Sequence, residues 1–376
     1  MNITYAVPVK LDVMGGNVQH ILGLCRHASK SGIKVRLICL KGSGSIPQEN
    51  FEIIAFDSKH QGPIERIMRF SKLALQKIKE SSETDWVYSR PFPMDYLFFT
   101  RHLKKLGIPY AYELNTIWAD ELRSQGKNFK AILYPFFESE SIKGAKALLP
   151  VTQEIANHAK KVGGYSIPTF VAGNGIEIPN LPQKSREEIK KDWNLPLDKK
   201  LIVMAGFTRP WHGHEKLVAA LPLLSEENHV VLVGSESETV TKSTINFAES
   251  LSVKNRVHVL PWLNHQDVDE VIYACDIGVA PLALERIKMR EAQSLKVRHY
   301  LALGTPVLIA SGESQDILTS DFAIQLKATS PESMRDSLIN LSKKNFNRDQ
   351  IRQFAESKLS WEAIAHKTFQ FIKNLK

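Results

Sequence analysis

Short apolar runs alternate with amphipathic segments of helical period along nearly the whole chain. In the first half the runs are Ile3–Val9, Val35–Leu40, Phe51–Ala55, Trp86–Ser89, Tyr110–Leu114, Ala147–Pro150 and Thr169–Ala172. Between them lie helix-period segments such as Val18–Ala28, Ile64–Lys79 and Glu154–Lys161. The pattern restarts with Leu201–Ala205, Val230–Val233, Val257–Leu260, Ile277–Ala280 and Val307–Ala310. Runs this apolar predict strands buried on both faces, as in parallel sheets covered by helices. The alternation predicts an α/β fold of two Rossmann-like, doubly wound parallel-sheet domains. Gly173-Asn174-Gly175 through Pro182 is rich in Gly, Asn and Pro and reads as the linker. The expected domains are residues 1–175 and 183–355. A final amphipathic helix, Trp361–Asn374, has no strand after it.

Composition narrows this picture. With 376 residues, 43% of them apolar, the chain has material for two cores. No stretch approaches the roughly 18 apolar residues of a membrane span, and the first residues read as a strand, not a signal peptide. Cys25, Cys39 and Cys275 lack metal spacing and read as buried thiols in a reducing compartment, so the expected location is cytoplasmic. Charge is uneven: residues 1–180 carry 23 Lys and Arg against 16 Asp and Glu, and residues 181–376 carry 26 against 24. The excess points to something anionic facing the first half. Nucleic acid does not fit, because the basic residues are not interleaved with stacking aromatics.

Three segments could carry chemistry. Gly15 and Gly16 follow the first strand and open a helix, where glycines let amides approach a ligand phosphate. The three spaced glycines of a dinucleotide site are absent, and Gly42-Ser43-Gly44-Ser45 leads into Ile46-Pro47 rather than a helix. The second segment, Gly206 to Gly213, brings Arg209 and His212 to the end of the first strand of the second half. Ligands of α/β sheets bind at such strand ends, and Arg209 could clamp a diphosphate there. The third places Glu291 before a helix that Ser294 is expected to cap and that Gly304 ends. Asp267-Val268-Asp269 falls in a first helical turn, where acids favour the macrodipole, so a metal site is not expected.

In this order the segments resemble the family 4 glycosyltransferases of GT-B fold, over almost the entire chain. The resemblance is carried by the Gly15-Gly16 loop, Tyr112-Glu113-Leu114-Asn115 and Pro150-Val151-Thr152-Gln153-Glu154. It continues through Asn174-Gly175-Ile176-Glu177, Leu232-Val233-Gly234-Ser235, Asp276 to Leu282 and, most specifically, Leu295 to Val307. It implies retaining transfer of a sugar from a nucleotide-sugar donor to a saccharide or lipid-linked acceptor, in surface polysaccharide or glycolipid synthesis. No metal or other cofactor is required in the family. The two domains would face a cleft, the first on the acceptor side and the second holding the donor, and residues 356–376 would pack back on the first. By resemblance Glu291 contacts donor sugar hydroxyls and, with Asn115 after the fifth strand, makes the catalytic set. Gly15, Gly16, Arg209, His212, Ser294, Leu295, Lys296 and His299 make the donor set.

Three positions depart from the family pattern. His299 replaces the second glutamate of the pair, the arginine–lysine phosphate pair falls at Phe207 and His212, and Asn115 stands where a histidine is frequent. A nucleotide-sugar epimerase on the same fold and a non-catalytic nucleotide-sugar-binding member are the alternatives. One more expectation concerns membranes. Ile64, Ile67, Met68, Ala74, Leu75 and Ile78 make one face of a helix whose other side carries Arg66, Arg69, Lys72 and Lys79. With Arg101, Lys104 and Lys105 it could meet an anionic membrane surface as a peripheral contact.

Overall fold

The computed structural model describes residues 1–375 except 13–14, 58–61, 82, 125, 164, 207, 236, 281, 289 and 310–314. The chain forms two compact units, Met1–Gly175 with Trp361–Lys376, and Ile176–Ser360.

Unit 1 holds strands β1 (Asn2–Lys10), β2 (Lys34–Lys41), β3 (Glu52–Asp57), β4 (Trp86–Ser89), β5 (Tyr110–Leu114) and β6 (Ala147–Pro150). They pair in parallel in the order β3-β2-β1-β4-β5-β6. β4, β5 and β6 are buried at every residue, which is why their sequence shows no polar alternation. One face packs on helix Gly16–Lys30 and the last helix, Trp361–Lys373; the other packs on helix Pro63–Glu80 and Phe92, Phe99 and Leu103. Trp361 explains two glycines. A Cβ at Gly23 would lie 2.4 Å from its Nε1, and one at Gly175 would lie 2.5 Å from its Cδ2.

Unit 2 repeats the plan with β7 (Lys200–Ala205), β8 (Asn228–Ser235), β9 (Val257–Pro261), β10 (Ile277–Val279), β11 (Val307–Ile309) and β12 (Ala323–Gln325). The order is β12-β11-β10-β7-β8-β9, again all parallel. Each sheet therefore winds outward in both directions from its first strand. The reversal falls between β1 and β4 in unit 1 and between β7 and β10 in unit 2. At such a switch point the loops leaving the two central strands diverge and open a crevice at the strands' carboxyl ends.

Two strand expectations need correction. Thr169–Ala172 runs beside β6, with Phe170 N donating to Leu148 O and Ala172 N to Pro150 O, but it makes a single bridge and no strand. Conversely, β12 has only three residues, none of them buried, and so leaves no apolar run to read. The predicted end of β11 at Ala310 lies outside the described residues, as does Phe207.

Candidate functional site

The unit 2 switch point is built by three loops. After β7 the chain turns at Gly206, whose φ of +61° is a left-handed conformation that glycine adopts without strain. Gly206 N donates to Val233 O at 2.7 Å, which holds this turn against β8. The following segment, Arg209–Gly213, is tied to the loop after β10: Leu282 N donates to His212 O and Ala283 N to Trp211 O. A Cβ at Gly213 would lie 2.9 Å from that of Ala283, so glycine permits this approach. Tyr300 braces the two central strands, because its hydroxyl accepts from Ala205 N at 2.9 Å and donates to Val279 O at 3.4 Å.

The third loop carries Glu291 into helix Leu295–Ala302. Arg298 is buried and turns back on that loop, donating to Ser294 O at 3.1 Å and to Gln293 Oε1 at 2.7 Å. A buried arginine thus fixes the backbone between Glu291 and the helix. Ser294 stands at the N-cap position, but its side chain makes no capping bond. This corrects the expected side-chain cap: the contact Ser294 makes with Arg298 is through its carbonyl, which accepts and satisfies none of the first-turn amides. First-turn amides have no intrahelical acceptors, so this end of the helix is a donor surface toward the crevice.

The sequence-predicted donor residues of unit 2 stand on the loop after β7 and in the segment that opens helix Leu295–Ala302. Lys296 reaches across to β7, where its Nζ donates to Gly206 O at 2.6 Å. Burial pushes its ammonium down to about 7. Arg209 is exposed on its turn and makes no ion pair among the described residues, while its backbone N–H donates to His212 Nδ1 at 3.2 Å. Leu295 and Glu291 are partly exposed. His299 points to the neighbouring helix His265–Ala274, with Nε2 2.5 Å from Asp269 Oδ1. Asp269 therefore pairs with a histidine, and it lies beyond the first turn, where Asp267 alone stands, a correction to the expected first-turn place of both acids.

In unit 1, Gly15 takes an extended conformation before helix Gly16–Lys30, and its carbonyl accepts from Val18 N and Gln19 N. Among the described residues a Cβ there would meet Asn17 Oδ1, at 3.4 Å, an ordinary van der Waals contact. Asn115 Nδ2 donates to Glu113 Oε1 at 2.6 Å. Glu113 is the centre of a cluster that sequence reasoning missed. It is fully buried, with His20 Nε2 at 2.9 Å and Arg90 Nε at 3.2 Å from the same oxygen, and Tyr5 donating to the other. Burial alone would raise its carboxyl, but His20, Arg90 and the Asn115 bond hold it well below the usual carboxylate range. A charged residue inside the apolar run Tyr110–Leu114 was the available signal.

Comparison with known proteins agrees with this architecture. Residues 14–178 match the family model for glycosyltransferase family 4, and residues 185–358 match that for glycosyl transferases group 1. Over 183 residues the chain is 26% identical to a D-inositol 3-phosphate glycosyltransferase of Xylanimonas cellulosilytica, covering 46% of this chain and 42% of that one. The chain spans about half the length of the curated relatives it matches. A sucrose-phosphate synthase from Thermosynechococcus elongatus superposes with a TM-score of 0.74 at 14% identity, covering 100% of this chain and 98% of the other. Anabaena HepE, solved in complex with UDP and glucose, gives 0.71 at 15% identity with both chains covered in full. At such identities the likeness is one of fold. With two matched models that together run from residue 14 to residue 358, the chain belongs to the family 4 glycosyltransferases.

Proposed function

We propose that the chain transfers a sugar, with retention of anomeric configuration, from a nucleotide-sugar donor to a saccharide or lipid-linked acceptor. The observation that carries the reading is the unit 2 switch point, where Lys296, the Gly206 turn and the first turn of helix Leu295–Ala302 converge. Such a place suits a diphosphate. Helix-end amides and a cation stabilise the charge that develops as the glycosidic oxygen departs. Glu291, on a loop braced by Arg298, would hold donor sugar hydroxyls, and the His299–Asp269 pair would offer hydrogen bonds to the nucleoside. The UDP and glucose complex of the Anabaena relative supports this class of donor. The proposed chemistry draws its charge stabilisation from protein groups and needs no metal. In unit 1, Gly15 and Gly16 follow β1 and Asn115 follows β5, at the carboxyl ends of their strands; the two glycines would approach the diphosphate, and Asn115 would join Glu291 in the catalytic set.

The test is a titration with nucleoside diphosphates and their sugars, followed by melting temperature. A ligand that binds the folded state alone raises stability by RT ln(1 + [L]/Kd). Stabilisation by at least one sugar nucleotide, with turnover that depends on an acceptor, is the expected result. Free-sugar release or exchange without an acceptor would indicate the epimerase, and tight binding without any turnover the non-catalytic alternative.

The acceptor side carries a further proposal, that unit 1 meets an anionic membrane surface. Among the described residues no helix is long and apolar enough to cross a membrane. Helix Pro63–Glu80 and the segment Tyr96–Lys105 flank a groove of about 690 Å³ lined by Met68, Leu75, Leu97 and Phe98 and rimmed by Lys72, Lys79 and Arg101. Liposome co-sedimentation that rises with anionic lipid and falls with salt would support it. No association at low salt would remove it.

A further inference from the structure

One side chain of the unit 2 switch point is unlike the others. Lys296 lies in the first turn of its helix, partly exposed, and its ammonium meets a backbone carbonyl rather than a carboxylate. Gly206 O is its one hydrogen-bond partner among the described residues. The turn fits closely around it, since a Cβ at Gly206 would lie 3.2 Å from Lys296 Cε. Charged neighbours on every side are directed elsewhere. On its own helix Arg298 serves Ser294 and Gln293, and His299 serves Asp269. On the loop after β7, Arg209 is exposed and His212 accepts the Arg209 amide; after β10, Glu285 is taken by Lys216.

We propose that Lys296 carries the positive charge that neutralises the donor diphosphate, exchanging Gly206 O for a phosphoryl oxygen when the nucleotide enters. This rests on the donor reading above and adds a named charge carrier to it. The loop after β7 has Phe207 and His212 where the family pattern has two fixed cations. The lysine would deliver that charge from the helix side of the same crevice. A second consequence follows from its environment. Because burial holds the ammonium near 7, the empty site is only about half charged at neutral pH. An incoming dianion favours the charged form and draws in a proton. Affinity should therefore be level below about pH 7 and fall above it, toward tenfold per pH unit, until the ammonium of the complex itself begins to titrate.

The experiment is isothermal titration of the intact chain with UDP, GDP and ADP at pH 8, in two buffers of different ionisation enthalpy. The binding nucleotide should take up between about 0.5 and 1 proton. Lys296→Met should abolish the uptake and weaken binding by about tenfold or more at pH 7, without lowering the melting temperature of the unliganded protein. Wild-type binding without proton uptake, or uptake that persists in Lys296→Met, would overturn the assignment while leaving the donor reading in place. If no nucleotide or nucleotide-sugar binds the wild type at all, the donor reading itself falls, and Lys296 with it.

Discussion

The two units share one topology and use it in opposite ways at the point where their strand order reverses. In unit 1 the polar groups there converge on one carboxylate: Glu113 gathers His20, Arg90, Asn115 and Tyr5 and is closed to solvent. In unit 2 the cations are left with weak claims. Lys296 holds a carbonyl, and Arg209 is exposed without an ion pair among the described residues. A saturated carboxylate has nothing to offer a ligand, whereas an under-paired cation in a partly dry crevice gains most when an anion arrives. Fold supplies the crevice in both units. Pairing decides which crevice is ready for a charged ligand, and which is a brace.

The largest effect should come from breaking the brace. Glu113→Ala leaves Arg90 buried beside two tyrosines with no counter-charge, and removal of one partner from such a cluster costs about 3–5 kcal/mol. Urea unfolding should show that loss. If the comparison holds, whatever variant protein stays folded binds nucleotide as the wild type does, because the damage lies in unit 1. A loss of stability below ~1 kcal/mol would mean that the cluster is less closed than its geometry indicates.

Next in size is a pH effect confined to unit 1. Asp95 is buried and accepts from Tyr112, Ser141 and Tyr96 N, yet burial still pushes its carboxyl up to about 7. The folded state thus keeps a proton that the unfolded chain releases near 3.8. Its contribution is fully present below that value and is lost as pH rises through about 7. The swing is on the order of 4 kcal/mol. Asp95→Asn removes the titration while keeping the shape. Unfolding midpoints from pH 5 to 8 should flatten in the variant; an unchanged slope would assign the proton to another group.

These residues show what could be read from the sequence and what could not. Buried parallel strands announce themselves, since every residue of β4 to β6 is covered and the runs are apolar except for Ser89 and Glu113. The glycine turn after β7 and the loop before helix Leu295–Ala302 were legible as strand-end loops. Pairings were not. His299 with Asp269 spans 30 residues and Glu113 with His20 spans 93, and neither spacing leaves a local signature. Ser294 looked like a side-chain cap because serine precedes the helix. In the folded chain the side chain makes no such bond, and Arg298 instead donates to the serine's carbonyl, a contact made only once the helix has formed.

On the unit 2 side, Arg209 should matter less than Lys296. It is exposed, so its bond to a phosphate would be partly screened. Arg209→Ala is expected to weaken nucleotide binding by about 1.5 kcal/mol, near tenfold in Kd, with salt reducing the difference. Glu291→Gln should instead lower turnover and spare nucleoside-diphosphate affinity, because a carboxylate on sugar hydroxyls is felt only with the intact donor. Titration of both variants with the nucleotide alone separates the two roles. A loss of nucleotide affinity in Glu291→Gln equal to its loss of turnover would mean that Glu291 shapes the nucleotide pocket instead.

The smallest effect gives unit 2 a pH response opposite to that of unit 1. His229 and His258, on β8 and β9, stack with ring centroids 5.3 Å apart and share one hydrogen bond, Nδ1 to Nε2 at 3.0 Å. One nitrogen must donate and the other accept, so the bond cannot survive protonation of both rings. Burial, then the neighbouring ring, lowers His258 to about 4; burial, Arg256 and Lys199 lower His229 in the same direction. A histidine kept neutral by the fold contributes stability that is fully present above its unfolded value of 6.5 and is lost as pH falls through about 4. Because His258 is partly exposed, the swing should be only about 1 kcal/mol. His258→Gln should therefore flatten the acid side of the unfolding profile between pH 6.5 and 4.5. It should leave the Asp95-dependent loss toward pH 7 untouched, since the two groups lie in different units. A variant that altered both limbs alike would show that the units unfold as one cooperative body, and hydrogen exchange on β5 and β9 would then have to give equal opening free energies.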